Sequence, residues 1–173
     1  MVNIKFSGAS WKGNEGFYYS TYEMPKDGSF LAGKTDDHKI YFHKLGTAQK
    51  DDQLIYGGSG KKFRYLNGGV SEDQKWLVIY GRNSTYGNDL YVLDLTKPGS
   101  TIKQLVSDMK NQHTVIDVDD QFFYIQTDRN APNGKLVTAP LSTPEEANWK
   151  TLIDSKPEVL NVSVGGNSIF CSY

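Results

Sequence analysis

Apolar residues in this chain come in short runs separated by clusters of Gly, Asn, Asp and Ser. Four stretches repeat one layout: an apolar strand, a short polar turn, a second apolar strand. They are Phe6–Tyr22, Tyr65–Tyr80, Val115–Thr127 and Val159–Tyr173. Leu77, Phe123 and Ile169 hold matching places in the second strand, 46 residues apart at each step. A fixed period in this range marks a repeated supersecondary unit, and a β-rich unit of this length fits a propeller blade. The fourth copy stops after its second strand. The expected fold is therefore all-β: a β-propeller fragment of about three and a half four-stranded antiparallel blades, and a piece of something larger.

The runs between these anchors complete the blades. The first module reads as Lys5–Trp11, Gly16–Tyr22, Lys39–Leu45 and Gln53–Tyr56, with a polar excursion over Glu23–His38. The second reads as Tyr65–Val70, Trp76–Tyr80, Leu90–Leu95 and Ile102–Val106, and the third as Val115–Val118, Phe122–Thr127, Lys135–Ala139 and Thr151–Ile153. Only Val159–Val164 and Ser168–Tyr173 remain for the last. Blade boundaries fall near 1–60, 61–110, 111–155 and 156–173. Phe122–Ile125 and Leu90–Leu93 are continuously apolar, where a sheet with one wet face would alternate. Such strands need cover on both faces, which stacked blades provide. A β-sandwich has a similar signature and stays open. Thr143-Pro144-Glu145-Glu146 has the cap, proline and acidic first turn of a short helix.

Composition agrees with strands and tight turns: eleven Tyr, eight Phe and three Trp accompany seventeen Gly. A chain of 173 residues can bury roughly 70% of its unfolded surface. The net charge of −1 argues against a general electrostatic grip on nucleic acid or anionic lipid. No apolar run reaches the length of a membrane span, and no signal peptide is visible. Lys61, Lys62 and Arg64 form the one compact basic cluster and read as a solvated loop. The single cysteine, Cys171, excludes an internal disulfide and reads as a buried thiol in an apolar run.

Each candidate chemical group has a structural explanation. Gly57-Gly58-Ser59-Gly60-Lys61 approaches the G-x-S-x-G elbow of a hydrolase, but Lys61 stands where the last glycine belongs and no helix follows. No Ser–His–Asp triad is expected, so no catalytic residue is assigned and substrate-binding residues stay unassigned. His38 and His43 are five apart on one strand approach, which puts them on opposite faces, and His113 belongs to another module; no metal site is expected. Asp117-Val118-Asp119-Asp120 lacks the glycine and distal glutamate of a calcium loop and reads as a hairpin turn. Asp51-Asp52 and Asp36-Asp37 read as surface loops. In Ser71-Glu72-Asp73-Gln74-Lys75-Trp76, Ser71 or Asp73 closes a hairpin on backbone amides while Trp76 enters the core. A sialidase box would need glycine at Lys75 and converging arginines, and only Arg64, Arg82 and Arg129 are present. Asn83-Ser84-Thr85 and Asn161-Val162-Ser163 match the glycosylation pattern, but Asn161 lies in a strand.

A family resemblance rests on the ordered set of motifs. Ile40-Tyr41-Phe42-His43-Lys44-Leu45-Gly46-Thr47-Ala48-Gln49 followed by Asp52 and Leu54 resembles the propeller domain of prolyl oligopeptidases. So do Val70-Ser71-Glu72-Asp73 through Trp76, Asn88-Asp89-Leu90-Tyr91-Val92-Leu93-Asp94-Leu95, Thr127-Asp128-Arg129-Asn130-Ala131-Pro132-Asn133 and Pro144-Glu145-Glu146-Ala147-Asn148-Trp149-Lys150. The resemblance covers Phe6 to Tyr173. It implies a seven-bladed propeller over an α/β-hydrolase domain of the same parent chain, which supplies serine, histidine and aspartate and cleaves after proline in short peptides. The propeller then acts as a steric gate. No cofactor, nucleic acid or membrane is implied. Cytoplasmic location is favoured, with periplasm open. Ile55 stands where some relatives have a cysteine near the active site, so thiol sensitivity does not carry over. The alternative is a non-catalytic propeller that binds proteins or peptides. Unpaired edges at Val159–Tyr173 lead one to expect self-association of the fragment.

Overall fold

The computed structural model describes residues 1–2, 4–22, 37–166 and 168–173. Strands β1 (Ser10–Lys12), β2 (Gly16–Thr21), β3 (Lys39–Lys44) and β4 (Gln53–Tyr56) form the first sheet. The second holds β5 (Tyr65–Val70), β6 (Trp76–Arg82), β7 (Asp89–Asp94) and β8 (Lys103–Val106). The third holds β9 (His113–Val118), β10 (Phe122–Thr127), β11 (Lys135–Pro140) and β12 (Lys150–Ile153). A hairpin of β13 (Asn161–Gly165) and β14 (Ser168–Ser172) follows. Each sheet is an antiparallel meander in chain order. The register between third and fourth strands shifts at Ile40/Tyr41, Leu90/Tyr91 and Leu136/Val137. A bulge repeated at one place adds the same local twist to every blade.

Strand β5 adjoins β1, β2 and β3, and β13 adjoins β9. First strands therefore lie nearest a shared axis, and fourth strands lie at the periphery. The period-2 geometry of strands explains the continuous apolar runs. In β6, Leu77 and Ile79 point to a core shared with Tyr18 and Ile40 of blade 1 and with Phe63 and Leu66 at the entry to blade 2. Val78, between them, points to a core with Phe123, Ile125, Val137 and Ala139 of blade 3. Likewise Tyr91 faces blade 1, while Leu90 and Val92 face blade 3. Blade 2 is thus covered on both faces. Trp76 meets Phe123 edge-on at 4.9 Å between ring centres. The anchors Leu77 and Phe123 are fully enclosed, each adding about 1.5–3 kcal/mol of apolar burial.

Several sequence expectations change. Phe122–Ile125 alternates: Phe123 and Ile125 are buried against blade 2, whereas Phe122 and Tyr124 are half-buried, and Tyr124 lines a cavity with Ile169 of the two-stranded hairpin. The first strand starts at Ser10 rather than Lys5. Phe6 has a positive φ of 56°, which an extended strand does not admit, and Ser7 Oγ accepts the Ser20 N–H at 2.7 Å. The segment after Thr143 forms only a 3-10 turn over Glu146–Asn148, without a side-chain cap. Side chains take the carbonyls that a longer helix would use: Asn148 Nδ2 donates to Thr143 O and Trp149 Nε1 to Pro144 O. Cys171 is exposed rather than buried. The excursion over Glu23–His38, apart from its last two residues, lies outside the described residues, as does Asp36.

Candidate functional site

The residues singled out for chemistry meet only in pairs, His43 with Asp52 among them, and form no nucleophile–base–acid set among the described residues. Ser59 lies in the loop between β4 and β5, where Gly57, Gly58 and Gly60 have φ of 101°, 80° and 73°. The glycines serve that left-handed path; there is no strand-to-helix elbow. His43, on β3, puts Nδ1 2.7 Å from Asp52 Oδ1, and Tyr19 donates its hydroxyl to Asp52 Oδ2 at 2.7 Å. The Asp52 side chain is only 1% exposed, so it is an internal ligand of blade 1 and not the surface residue expected. His38 and His113 are each fully enclosed at different blade seams. Among the described residues no three His, Cys, Asp or Glu side chains could hold a metal.

Two sets of residues do recur from blade to blade. The first is at the turns joining first and second strands. Ser71 Oγ donates to Asp73 Oδ1, which also accepts the Lys75 N–H, and Ser71 Oγ accepts the Trp76 N–H. Both Ser71 and Asp73 therefore close the turn. Asp119 accepts the Gln121 and Phe122 amides and the Tyr124 hydroxyl at 2.7 Å each. Burial alone would raise both carboxyls; the donors outweigh it and hold Asp73 and Asp119 below the usual carboxylate range. A cavity of about 670 Å³ opens here, with Glu72, Asp73, Asp117, Asp119, Tyr124 and Ile169 in its wall. Lys75 reaches across to Asp120 at 2.9 Å.

The second set clasps the seams at the opposite end. Asn88, fully buried just before β7, offers Oδ1 to the His113 N–H at 2.9 Å and donates Nδ2 to the His113 carbonyl at 3.1 Å. One amide thus satisfies both backbone groups of the residue that opens blade 3. His38, just before β3, accepts the Leu66 N–H at Nδ1 over a longer 3.4 Å. Gln126 Nε2 donates to the Leu160 carbonyl at 2.8 Å, and Leu160 donates its N–H to Asn133 O at 2.8 Å. Lys61 also belongs here: its ammonium binds Asp89, whose side chain is wholly enclosed. Tyr91 and Ser107 hydroxyls donate to the same Asp89 oxygen at 2.9 and 3.3 Å. The basic cluster is therefore not uniformly solvated. Burial, reinforced by Tyr56 and Asp89, pushes the Tyr91 hydroxyl far above its ordinary value. The sequence held one signal for this set, the Asn88-Asp89 pair at the head of an apolar strand.

A family model described as the prolyl oligopeptidase N-terminal β-propeller domain matches residues 1–173. The chain belongs to that family. It is 43% identical over 173 residues to a prolyl endopeptidase of Elizabethkingia miricola and 42% identical to one of Elizabethkingia meningoseptica. Each alignment takes in 100% of this chain and 24% of the relative. The chain thus spans about a quarter of the length of these relatives. A solved structure from a mechanistic study of two prolyl endopeptidases overlays with a TM-score of 0.86 at 27% identity, covering 100% of this chain and 25% of that one. Prolyl oligopeptidase B from Galerina marginata, bound to a 35mer hydrolysis and macrocyclization substrate, overlays with a TM-score of 0.77 at 25% identity, over 93% of this chain and 23% of that one. Within the prolyl oligopeptidase propeller, these sheets are blades, and the recurring clasps are the contacts that set one blade on the next.

Proposed function

We propose that this chain forms part of the wall of a propeller that covers the α/β-hydrolase domain of a longer post-proline serine endopeptidase. Its task is mechanical: it supports that domain and admits only short peptides to it. The observation that carries this reading is the family match across the whole chain, combined with a wall whose polar groups are spent on blade turns and seams. No serine here has a histidine base in hydrogen-bond reach among the described residues, so the chemistry is assigned to the rest of the parent. We assign the module boundaries as 1–60, 61–110, 111–155 and 156–173.

The test uses a Gly-Pro chromogenic substrate with the 173-residue chain and with its longer parent. The parent releases chromophore and the chain alone releases none. Hydrolysis by the chain alone, or a parent reading frame without a G-x-S-x-G and a later histidine, overturns the reading. Among the described residues strand β14 pairs only with β13, and Phe170 on it and Tyr173 after it are exposed; such edges recruit other strands. The isolated chain accordingly self-associates; sedimentation as a single monomeric species at tens of micromolar contradicts this part.

A further inference from the structure

We propose that Asp108 is a proton-controlled ligand: it binds Arg129 while His113 is neutral and moves onto His113 Nε2 when the imidazole takes up a proton. The seam between blades 2 and 3 then answers to mild acid.

The geometry is specific. His113 opens β9 and is fully enclosed. Its Nδ1 lies 2.9 Å from Thr127 Oγ1. That oxygen already accepts the Arg129 N–H at 3.2 Å, so its own hydrogen is free to go to Nδ1. The neutral ring then carries its proton on Nε2. Nε2 has no hydrogen-bond partner among the described residues, an unfavourable state for an enclosed polar atom. The carboxylate oxygen facing it is Asp108 Oδ2 at 3.9 Å, too long for a hydrogen bond and within reach of one after a shift of about 1 Å.

Asp108 is free to make that shift without leaving any cation stranded. Its Oδ2 accepts from Arg129 Nη1 at 3.0 Å, while Arg129 Nε holds Glu146 Oε1 at 2.7 Å. Arg129 therefore keeps one carboxylate when the other departs. Asp108 Oδ1 accepts the Lys110 N–H at 2.8 Å and serves as the pivot.

The charged groups around His113 come from every neighbouring element: Asp108 before β9, Asp128 and Arg129 after β10, and Asp89 at the start of β7. Asp128 is occupied by the Gln112 N–H at 2.8 Å and by the Tyr86 hydroxyl. Asp89 Oδ2 is taken by Lys61 and by the Tyr91 and Ser107 hydroxyls, while its Oδ1 has no partner among the described residues; the distances leave Asp108 as the carboxylate that faces Nε2, at 3.9 Å. Trp149 closes the remaining side, edge-on at 5.8 Å. Burial lowers the affinity of the ring for a proton, and Asp108 leads the groups that oppose it. In the protonated ring both nitrogens donate: Nδ1 to Thr127 Oγ1, which turns its hydroxyl hydrogen aside, and Nε2 to Asp108.

Long-range proton–nitrogen NMR of the His113 ring in the full 173-residue chain tests this. At neutral pH the ring is the Nε2–H tautomer, and burial makes it take up a proton only below the ordinary imidazole range. Asp108→Asn moves the midpoint down by about one unit, and Arg129→Gln moves it up, because the carboxylate is removed in one and released in the other. The Arg129 side-chain resonances shift with the same midpoint in the wild type and stay still in Asp108→Asn. A neutral Nδ1–H tautomer in the wild type, a ring that never protonates, or midpoints that do not move in variants with a native amide spectrum each overturn the proposal. The tautomer is read on the wild type, so a misfolded variant does not leave the question open.

Discussion

Removing the Asn88 amide isolates what one seam clasp contributes. In Asn88→Ala the His113 N–H and carbonyl both lose their partner across the seam, while the backbone bond from Asn88 N to Asn111 O remains. Both sides are enclosed, so water does not replace the amide freely. A net hydrogen bond is worth about 1 kcal/mol, and each buried backbone group left without a partner costs about 1–3 kcal/mol. The expected destabilisation is about 3 kcal/mol. For a chain of this size, about 1 kcal/mol corresponds to roughly 2–4 °C in Tm, which gives a drop of about 6–12 °C. Thermal unfolding followed by circular dichroism measures it at fixed protein concentration, with urea unfolding as a second reading. Asn14→Ala, in the exposed turn after β1, is the control and stays within about 0.5 kcal/mol of wild type. A loss below about 1 kcal/mol in Asn88→Ala would mean that the Asn88 amide is not what holds blades 2 and 3 together at this end of the seam.

Phe123→Ala empties the centre of the core between blades 2 and 3 and lowers stability by about 3–5 kcal/mol; a change under about 1 kcal/mol contradicts the packing described. Gly87→Ala is strained twice, since φ is +76° and the new Cβ falls 2.0 Å from Met109 O; its loss exceeds about 2 kcal/mol, and a neutral result refutes the position of the 107–112 connection. Burial holds His38 and His113 below their ordinary value of 6.5. The unfolded chain therefore takes up protons first, and stability falls as pH drops below about 6.5, by up to about 1.4 kcal/mol per pH unit for each ring; urea midpoints that rise on acidification would reverse that sign. Cys171 is exposed and, in native chain diluted until it sediments as a monomer, reacts with a thiol reagent as fast as in denaturant, whereas protection by more than about tenfold under those conditions places it under a cover within the chain.

What could be read from the sequence was local. The spacing of Leu77, Phe123 and Ile169 located the second strands, because a repeated unit repeats its core position. Ser71 and Asp73 were legible because a turn residue binds amides within a few positions of itself. Leu90–Leu93 announced cover on both faces, as Leu90, Tyr91 and Val92 bear out. Other residues depend on partners far along the chain, and composition gives no view of those. Lys61 reads as solvated until Asp89 is seen 28 residues away. Asp52 reads as surface until Tyr19 and His43 close over it. Thr143 has the letters of a helix cap, and the competing side chains of Asn148 and Trp149 decide otherwise. Asn88 was part of a recognisable motif, but its role as a seam clasp follows only from the neighbouring blade.

The clasps all point forward. His38 reaches Leu66, Asn88 reaches His113 and Gln126 reaches Leu160, over 28, 25 and 34 residues. A newly synthesised meander therefore finds its docking groups on the one made just before it, and never waits for material still to be translated. Closing a loop of this length costs only about 3 kcal/mol of chain entropy, so assembly can keep pace with the ribosome, one module docking behind another in the order of synthesis.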